Sequence, residues 1–199
     1  MSAHQLSTPN YITRTTVEAL TSPVTAAQLA VYLGLTADIS EAVPQQAMLD
    51  GLLLAATGAV QGLSSVELVQ RNWQYRADRY PAVRAGFGGL APLPETPAPW
   101  IDLGITPIVS VETVTVAGEA QILNQDYRVD GGRVFLSGLG TQIAIDFTAG
   151  APTEWGKQAI LATAAYLYEH RGGCDATDAV RQSTAWGLIK PNRVFRGGL

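Results

Sequence analysis

The sequence has little charge and few residues that commonly do chemistry. Only 15% of its 199 residues are charged, and it contains one cysteine and two histidines. A single cysteine excludes an intrachain disulfide and a cysteine-based metal cluster. The N-terminus lacks the basic start and apolar run of a signal peptide, and no apolar run approaches the roughly 18 residues of a membrane span. These absences predict a soluble protein of a reducing cytoplasm, with no membrane partner.

Motifs of the common enzyme classes are also missing. There is no G-x-S-x-G, Walker or dinucleotide fingerprint. His170 and Cys174 are close in sequence, but Gly172–Gly173 separates them and no further ligand or orienting group accompanies them. Three aspartates could be considered as a carboxylate cluster, but they fit turns or a strand edge better: Asp126, Asp130 and Asp146. The sequence therefore predicts no catalytic residue, no metal site and no cofactor.

The most informative stretch is 142–171. It begins as a strand in which Ile143, Ile145 and Phe147 alternate with more polar residues. After a break at Ala149–Gly150, a helix is predicted over 152–171, with a proline in its first turn and two glycines after its end. Apolar residues occupy most sides of this helix, which predicts that it is buried on most sides, including by neighbouring subunits.

The rest of the chain predicts an α+β fold. Two helices, 25–34 and 44–62, precede an antiparallel β region over 66–148, so that three main helices form a small core with an inserted sheet region. Within that region, 81–99 is rich in proline and glycine and is predicted to be a loop that contacts a partner. Residues 1–22 and 174–199 are predicted to be extended arms around a domain of 23–173.

Charge is distributed unevenly along the chain. The formal net charge is −4, but residues 171–199 carry +3 and the remainder carries −7. Apolar side chains such as Trp186 lie among the basic residues of this segment, and Pro191 argues against a long helix there. A basic tail on an acidic body predicts a segment that orders on an acidic partner, or else a solvated tail.

Several blocks together resemble the head-tail connector (adaptor) proteins of tailed bacteriophages, prophages and gene transfer agents. One block is the strand ending in T-A-G, then K-Q-A-I-L-x-x-x-A-x-L-Y-E-x-R at 157–171. Others are Leu103 with Pro107–Val111 and Val114, the D-Y-x-x-D of 126–130, and the G-R pair at 132–133. The resemblance runs from about residue 24 to 171 and follows the family's order of elements.

The resemblance implies a structural role without catalysis. Connectors form a dodecameric ring below the portal, extend the channel through which DNA passes, and receive the next neck or tail protein, the stopper. It implies assembly in the bacterial host cytoplasm and a final location in the virion neck. By position alone, it implies that the C-terminal segment binds the portal, through Arg181, Trp186, Ile189, Lys190, Arg193, Phe195 and Arg196. The predicted subunit-interface residues on the last long helix are Trp155, Ala162 and Tyr166.

Two other function classes remain open from the sequence. The aromatic strand around Trp73 and Tyr75 is compatible with a carbohydrate- or ligand-binding β domain of a virion component, which requires a ligand-sized pocket. If the protein is an unrecognised hydrolase, mutating Asp146 or His170 should abolish its function while folding and assembly stay intact.

Overall fold

The computed structural model describes residues 12–16, 18–35, 43–79, 100–130, 132–138, 140–170 and 173–194. The predicted loop 81–99 lies outside the described residues. The chain forms two compact units. The sheet unit comprises 1–17, 72–104 and 108–148, and the helical unit comprises 18–71, 105–107 and 149–199. The chain crosses from one unit to the other several times, as expected if the β region is inserted between helices.

The helical unit contains five α-helices and a final 3₁₀ turn in its described part. They are α1 (Ala26–Tyr32), α2 (Val43–Ser64), α3 (Glu154–Glu169), α4 (Ala176–Gln182), α5 (Ala185–Ile189) and the 3₁₀ turn Lys190–Asn192. The three predicted helices are confirmed as α1, α2 and α3. Helix α3 contacts each of the others and contributes buried residues almost throughout its length, as its nearly continuous apolar sequence predicts.

Local sequence explains where these helices begin. Thr25 accepts a hydrogen bond from the Gln28 backbone, and the Gln28 side chain accepts one from the Thr25 backbone, which completes a capping box at α1. Thr153 caps α3 by accepting from the Gly156 N–H at 3.2 Å. The predicted start near Pro152 is therefore correct to within two residues, because the proline precedes the cap.

The C-terminal segment differs from the expected extended arm. Residues from 176 onwards form α4, α5 and the 3₁₀ turn, and Ala179, Val180, Ala185 and Ile189 are fully buried. Asp175 caps α4 through the Asp178 N–H, at 2.8 Å. Val194 N–H donates to the Ser64 carbonyl oxygen at the end of α2. The small residues of this segment allow two short helices to pack closely, which a search for long amphipathic periods does not detect.

The sheet unit contains two antiparallel sheets. Its strands are β1 (Ile12–Thr15), β2 (Arg71–Arg79), β3 (Trp100–Asp102), β4 (Ile108–Val116), β5 (Glu119–Ala120), β6 (Tyr127–Asp130), β7 (Arg133–Leu136) and β8 (Thr141–Ala149). One sheet has the order β1-β2-β8-β4-β5 and the other β3-β7-β6. The predicted hairpin between β6 and β7 is confirmed, with Val129 opposite Val134.

Alternation along the strands separates a buried face from a polar one. Ile143, Ile145 and Phe147 are each at most 1% exposed, as their alternation predicts. On β2, Tyr75 and Ala77 face the same interior. In the smaller sheet the corresponding buried residues are Ile101, Leu103, Val134, Leu136 and Tyr127.

Part of the expected N-terminal arm is a strand. β1 pairs antiparallel with β2, with Arg14 opposite Tyr75. The Arg14 guanidinium donates to the carbonyl oxygens of Leu103 and Asp102, at 2.5 and 3.2 Å, and lies 5.5 Å from the Tyr75 ring centroid. Gly104 has φ +68, and a Cβ there would lie 2.7 Å from Arg14 Nε. Pairing with β2 and the contacts of Arg14 thus hold a segment that has no period of its own.

α2 has the length and composition of a membrane span. The window within Pro44–Ser64 has a mean hydropathy of 1.3, although no such run was expected from the sequence. One side of the helix packs within the helical unit, through Leu49, Leu53, Ala56 and Val60. Core helices of soluble proteins also have these properties, and one third of the window, 33%, is buried.

Candidate interaction surfaces

Exposed basic side chains mark the C-terminal part of the helical unit. Arg181, Lys190 and Arg193 are all exposed. Arg181 Nη1 lies 3.7 Å from Asp178 Oδ1, and both side chains are at least half exposed, so this ion pair is weak. These three predicted portal-binding cations are therefore accessible to a partner.

The apolar residues predicted for the same surface are less available. Ile189 is fully buried in the core of its own unit, and Trp186 packs against that core with part of its surface exposed. Phe195 and Arg196 lie outside the described residues. Ile189 thus stabilises the subunit and is not an exposed anchor, because folding of the C-terminal segment has already removed it from water.

The predicted interface residues of α3 also include both a buried side chain and partly exposed ones. Ala162 is 7% exposed and lies within the core, whereas Trp155 and Tyr166 are half-buried. The Tyr166 hydroxyl donates to Gln182 Oε1 at 2.6 Å, and its ring stacks on His170 with centroids 4.0 Å apart. The helices α1, α2, α4 and α5 all contact α3 within the subunit, and Trp155 and Tyr166 keep part of their surface exposed.

A polar network covers the outer face of the five-stranded sheet. Asp146 Oδ1 accepts from Gln74 Nε2 and Oδ2 accepts from Thr113 Oγ1, both at 2.7 Å. Two residues further along β8, the Thr148 hydroxyl lies 2.6 Å from Glu112 Oε1. Both Asp146 oxygens have hydrogen-bond partners within the sheet, which suits a structural carboxylate better than a general base.

Neither His170 nor Cys174 has the environment of a catalytic group. His170 Nδ1 lies 3.0 Å from the Tyr166 carbonyl oxygen, and among the described residues no carboxylate is paired with the ring. The pKa of the Cys174 thiol is raised by partial burial and by the nearby carboxylates of Asp178 and Asp175. A raised pKa keeps the sulfur protonated and poorly nucleophilic near neutral pH. Among the described residues no group of His, Cys, Asp and Glu could hold a metal ion.

Of the two residues named for an aromatic ligand platform, Tyr75 is unavailable to a ligand and Trp73 is half-buried. Tyr75 is 1% exposed and belongs to the sheet core. An open depression of about 300 Å³ lies between the 124–126 turn and strands β6 and β7. This volume is at the lower end of ligand pockets. Asp126 in its lining already accepts from the Ile122 N–H at 2.9 Å.

The small sheet carries a set of stacked arginines that the sequence analysis missed. Arg128 lies 4.4 Å from the Phe135 ring centroid and Arg133 lies 5.1 Å from that of Trp100. The two rings are 6.3 Å apart. Register places Trp100, Phe135 and Arg128 in one cross-strand row. In the sequence, Arg133 and Phe135 are two residues apart and could have indicated part of this cluster. The strand that supplies Trp100, 100–102, lies far away in sequence, so only the sheet pairing brings the cluster together.

Replacing Asp146 with asparagine tests whether this carboxylate is structural. One acceptor oxygen becomes a donor amide, so we expect a loss of about 0.5–1.5 kcal/mol in the free energy of unfolding, measured by denaturant titration. Assembly should be unchanged. Loss of function in a variant with wild-type stability and assembly would instead support the hydrolase reading.

Comparison with known proteins finds similarity in structure and not in sequence. No protein-family model and no curated protein matches the chain. A chain in the neck of an empty gene transfer agent particle, determined with C6 symmetry, matches with a TM-score of 0.67 and 20% identity, over 93% of this chain and 97% of that one. A chain of a native gene transfer agent virion matches with a TM-score of 0.63 and 21% identity, over 92% and 96% of the two chains.

A third match comes from the neck of a native gene transfer agent particle determined with C12 symmetry. Its TM-score is 0.55 and its identity 22%, over 93% of this chain and 97% of that chain. At such identities the similarity establishes a shared fold. Because it spans nearly the full length of both chains, the shared fold includes helices and sheets together.

Proposed function

We propose that the protein is a structural, non-enzymatic component of the neck of a gene transfer agent or phage-like particle. The observation that carries this proposal is the fold shared with a neck chain over 93% of this sequence and 97% of the other. The protein would assemble in the bacterial host cytoplasm and reside in the neck of the finished particle.

Within the neck, we assign it the role of head-tail adaptor. The order of its sequence blocks resembles that family, and the exposed Arg181 and Arg193 provide a basic surface for docking on the portal protein. The C6 and C12 symmetries of the similar neck structures support a ring, for which we propose twelve copies. A stopper or tail protein would bind the other side of the ring.

DNA would meet this ring only in passage. The formal net charge of −4 and the −7 carried by residues 1–170 disfavour tight phosphate binding, because each phosphate contact made by a lysine or arginine adds to affinity. The hydrogen-bonded Asp146 and the protonated Cys174 further support a structural role.

Electron microscopy of the purified protein tests this proposal. Negative-stain images of the full chain, alone and mixed with the portal protein from the same particle, should show rings seated on portals. Rings with cyclic symmetry in class averages are the expected result. Portals that stay bare at high protein concentration would contradict the adaptor role.

Reversing two exposed charges should weaken portal binding. In the variant with both Arg181→Glu and Arg193→Glu, we expect the portal Kd to rise by about tenfold or more, and the salt dependence of binding to decrease. Lys157→Glu on α3 is the control, since it changes a lysine outside the C-terminal surface whose described ion pair is with Glu154. Equal effects of both variants, measured by biolayer interferometry over a salt series, would argue against the C-terminal surface.

A further inference from the structure

The outward side of α2 carries almost no charge. From residue 47 onwards its exposed positions form one continuous stripe at helical spacing, here called the outer stripe: Ala47, Asp50, Gly51, Leu54, Ala55, Gly58 and Gly62. Leu54 is 41% exposed. In the described parts of 19–66, Asp50 is the one charged side chain. A surface helix of a monomer normally carries charged and polar residues on this side.

Packing inside the subunit does not explain the glycines of the stripe. Among the described residues, a Cβ added at Gly51 or Gly62 would meet nothing within 4 Å, and one at Gly58 would make an ordinary contact of 3.6 Å with Leu20. Glycine weakens a helix relative to alanine, so these residues lower the stability of α2 without improving the packing inside the subunit. Small residues instead allow a second helix to approach closely.

We propose that the outer stripe is the surface through which one copy of this chain contacts the next copy in its ring. This inference rests on the proposed function. Permanent homo-oligomer interfaces are more apolar than the docking surfaces of separately folded partners, which are about as polar as the rest of a protein surface. The outer stripe carries one charge, and this composition is typical of a permanent homo-oligomer interface.

Charge complementarity also favours a second copy. Asp50 has no ion pair in the part of the chain that the structure describes. Lys190 is exposed on the same chain and likewise has none there. In a cyclic ring one patch meets a different patch of the neighbour, so Lys190 of one copy is available to Asp50 of the next.

A lipid surface fits the stripe less well. Helices that lie on membranes carry lysine and arginine beside their apolar side, and the described parts of 19–66 contain neither. The opposite side of α2 is held in the core by Leu49, Leu53, Ala56 and Val60, so the helix cannot cross a bilayer without unfolding the unit.

Arginine at Ala55 should block the contact. The position is exposed and arginine suits a helix, so the melting temperature of Ala55→Arg should stay within about 2–4 °C of wild type. We expect the yield of rings on portals in negative stain to fall by about tenfold or more, as loss of an interface contact predicts. Gln158→Arg, at an exposed position of α3, is the matched control and should form rings normally.

Thiol labelling provides a second measurement, independent of how Ala55→Arg folds. In a Cys174→Ser background, maleimide should label the thiol of Ala55→Cys rapidly in the free chain and about tenfold or more slowly in rings, as burial at an interface predicts. The thiol of Gln158→Cys should react equally in both. Equal labelling of Ala55→Cys in both states, or slow labelling already in the free chain, would overturn the inference.

The possible failures are distinguishable. Normal rings from Ala55→Arg would reject the stripe as the contact but leave the proposed function intact. If the wild-type chain forms no rings with its portal, both the function and the inference are wrong. Flotation of wild type with phosphatidylcholine–phosphatidylglycerol vesicles that is lost in Ala55→Arg would reassign the stripe to a membrane.

Discussion

Replacing Gly150 with alanine is expected to destabilise the helical unit severely. Gly150 follows β8 with φ +103, and an added Cβ would overlap the Val69 carbonyl oxygen and lie 2.9 Å from the Glu67 side chain. Backbone atoms cannot move aside as a flexible side chain does. Strain and overlap together should lower the free energy of unfolding by about 3–5 kcal/mol, a large part of the ~5–15 kcal/mol available to a domain.

The local hydrogen bonds explain why this position has no room. Gly150 N–H donates to the Pro107 carbonyl oxygen at 2.8 Å, and Ala151 N–H donates to that of Glu67 at 3.2 Å. Glu67 N–H in turn donates to the Thr106 carbonyl oxygen at 2.8 Å. Three distant chain segments therefore meet at one point in the helical unit.

Gly51→Ala is the control for this prediction. Gly51 lies in the middle of α2 with space around it, so alanine should raise the free energy of unfolding by about 0.5–1 kcal/mol. Chemical denaturation of both variants measures the difference. A Gly150→Ala protein as stable as wild type would show that the backbone is arranged differently at this junction.

Deleting residues 176–199 should also unfold the helical unit. The deletion removes α4 and α5, whose Val180, Ala185 and Ile189 are fully buried against the core. Removing one buried large aliphatic side chain costs about 2–5 kcal/mol. Removing several approaches the whole stability of a domain, about 5–15 kcal/mol. The sequence alone predicts the opposite outcome, a folded protein that lacks an arm.

Deleting only residues 195–199 is the control for this prediction. Removal of 195–199 leaves every described contact of α4 and α5 in place, so the melting temperature should change little. Circular dichroism melts of the two truncations, with Ile189→Ala as an intermediate case, measure the contrast. If the 176–199 deletion melts cooperatively at the wild-type temperature, the C-terminal helices do not belong to the folded core.

The resemblance to neck adaptors was drawn from sequence blocks spread over about residues 24 to 171. The fold is shared with chains of gene transfer agent particles, two of which come from necks, and the adaptor role remains a proposal. The named site residues remain predictions. Ala162, predicted for the subunit interface, and Ile189, predicted for portal binding, are however buried inside the subunit, so neither side chain is an exposed anchor for a partner.

The sequence by itself determined the elements whose residues repeat with a clear period or carry a clear cap. These include α1 with its Thr25 capping box, β8 with its alternating isoleucines, and the nearly all-apolar α3. Tertiary structure alone decided the rest. β1 depends on Arg14 reaching Leu103, and the C-terminal helices depend on burial of Ile189. These segments are too short and too weakly patterned to be stable alone, so contacts with residues distant in sequence supply the free energy that orders them.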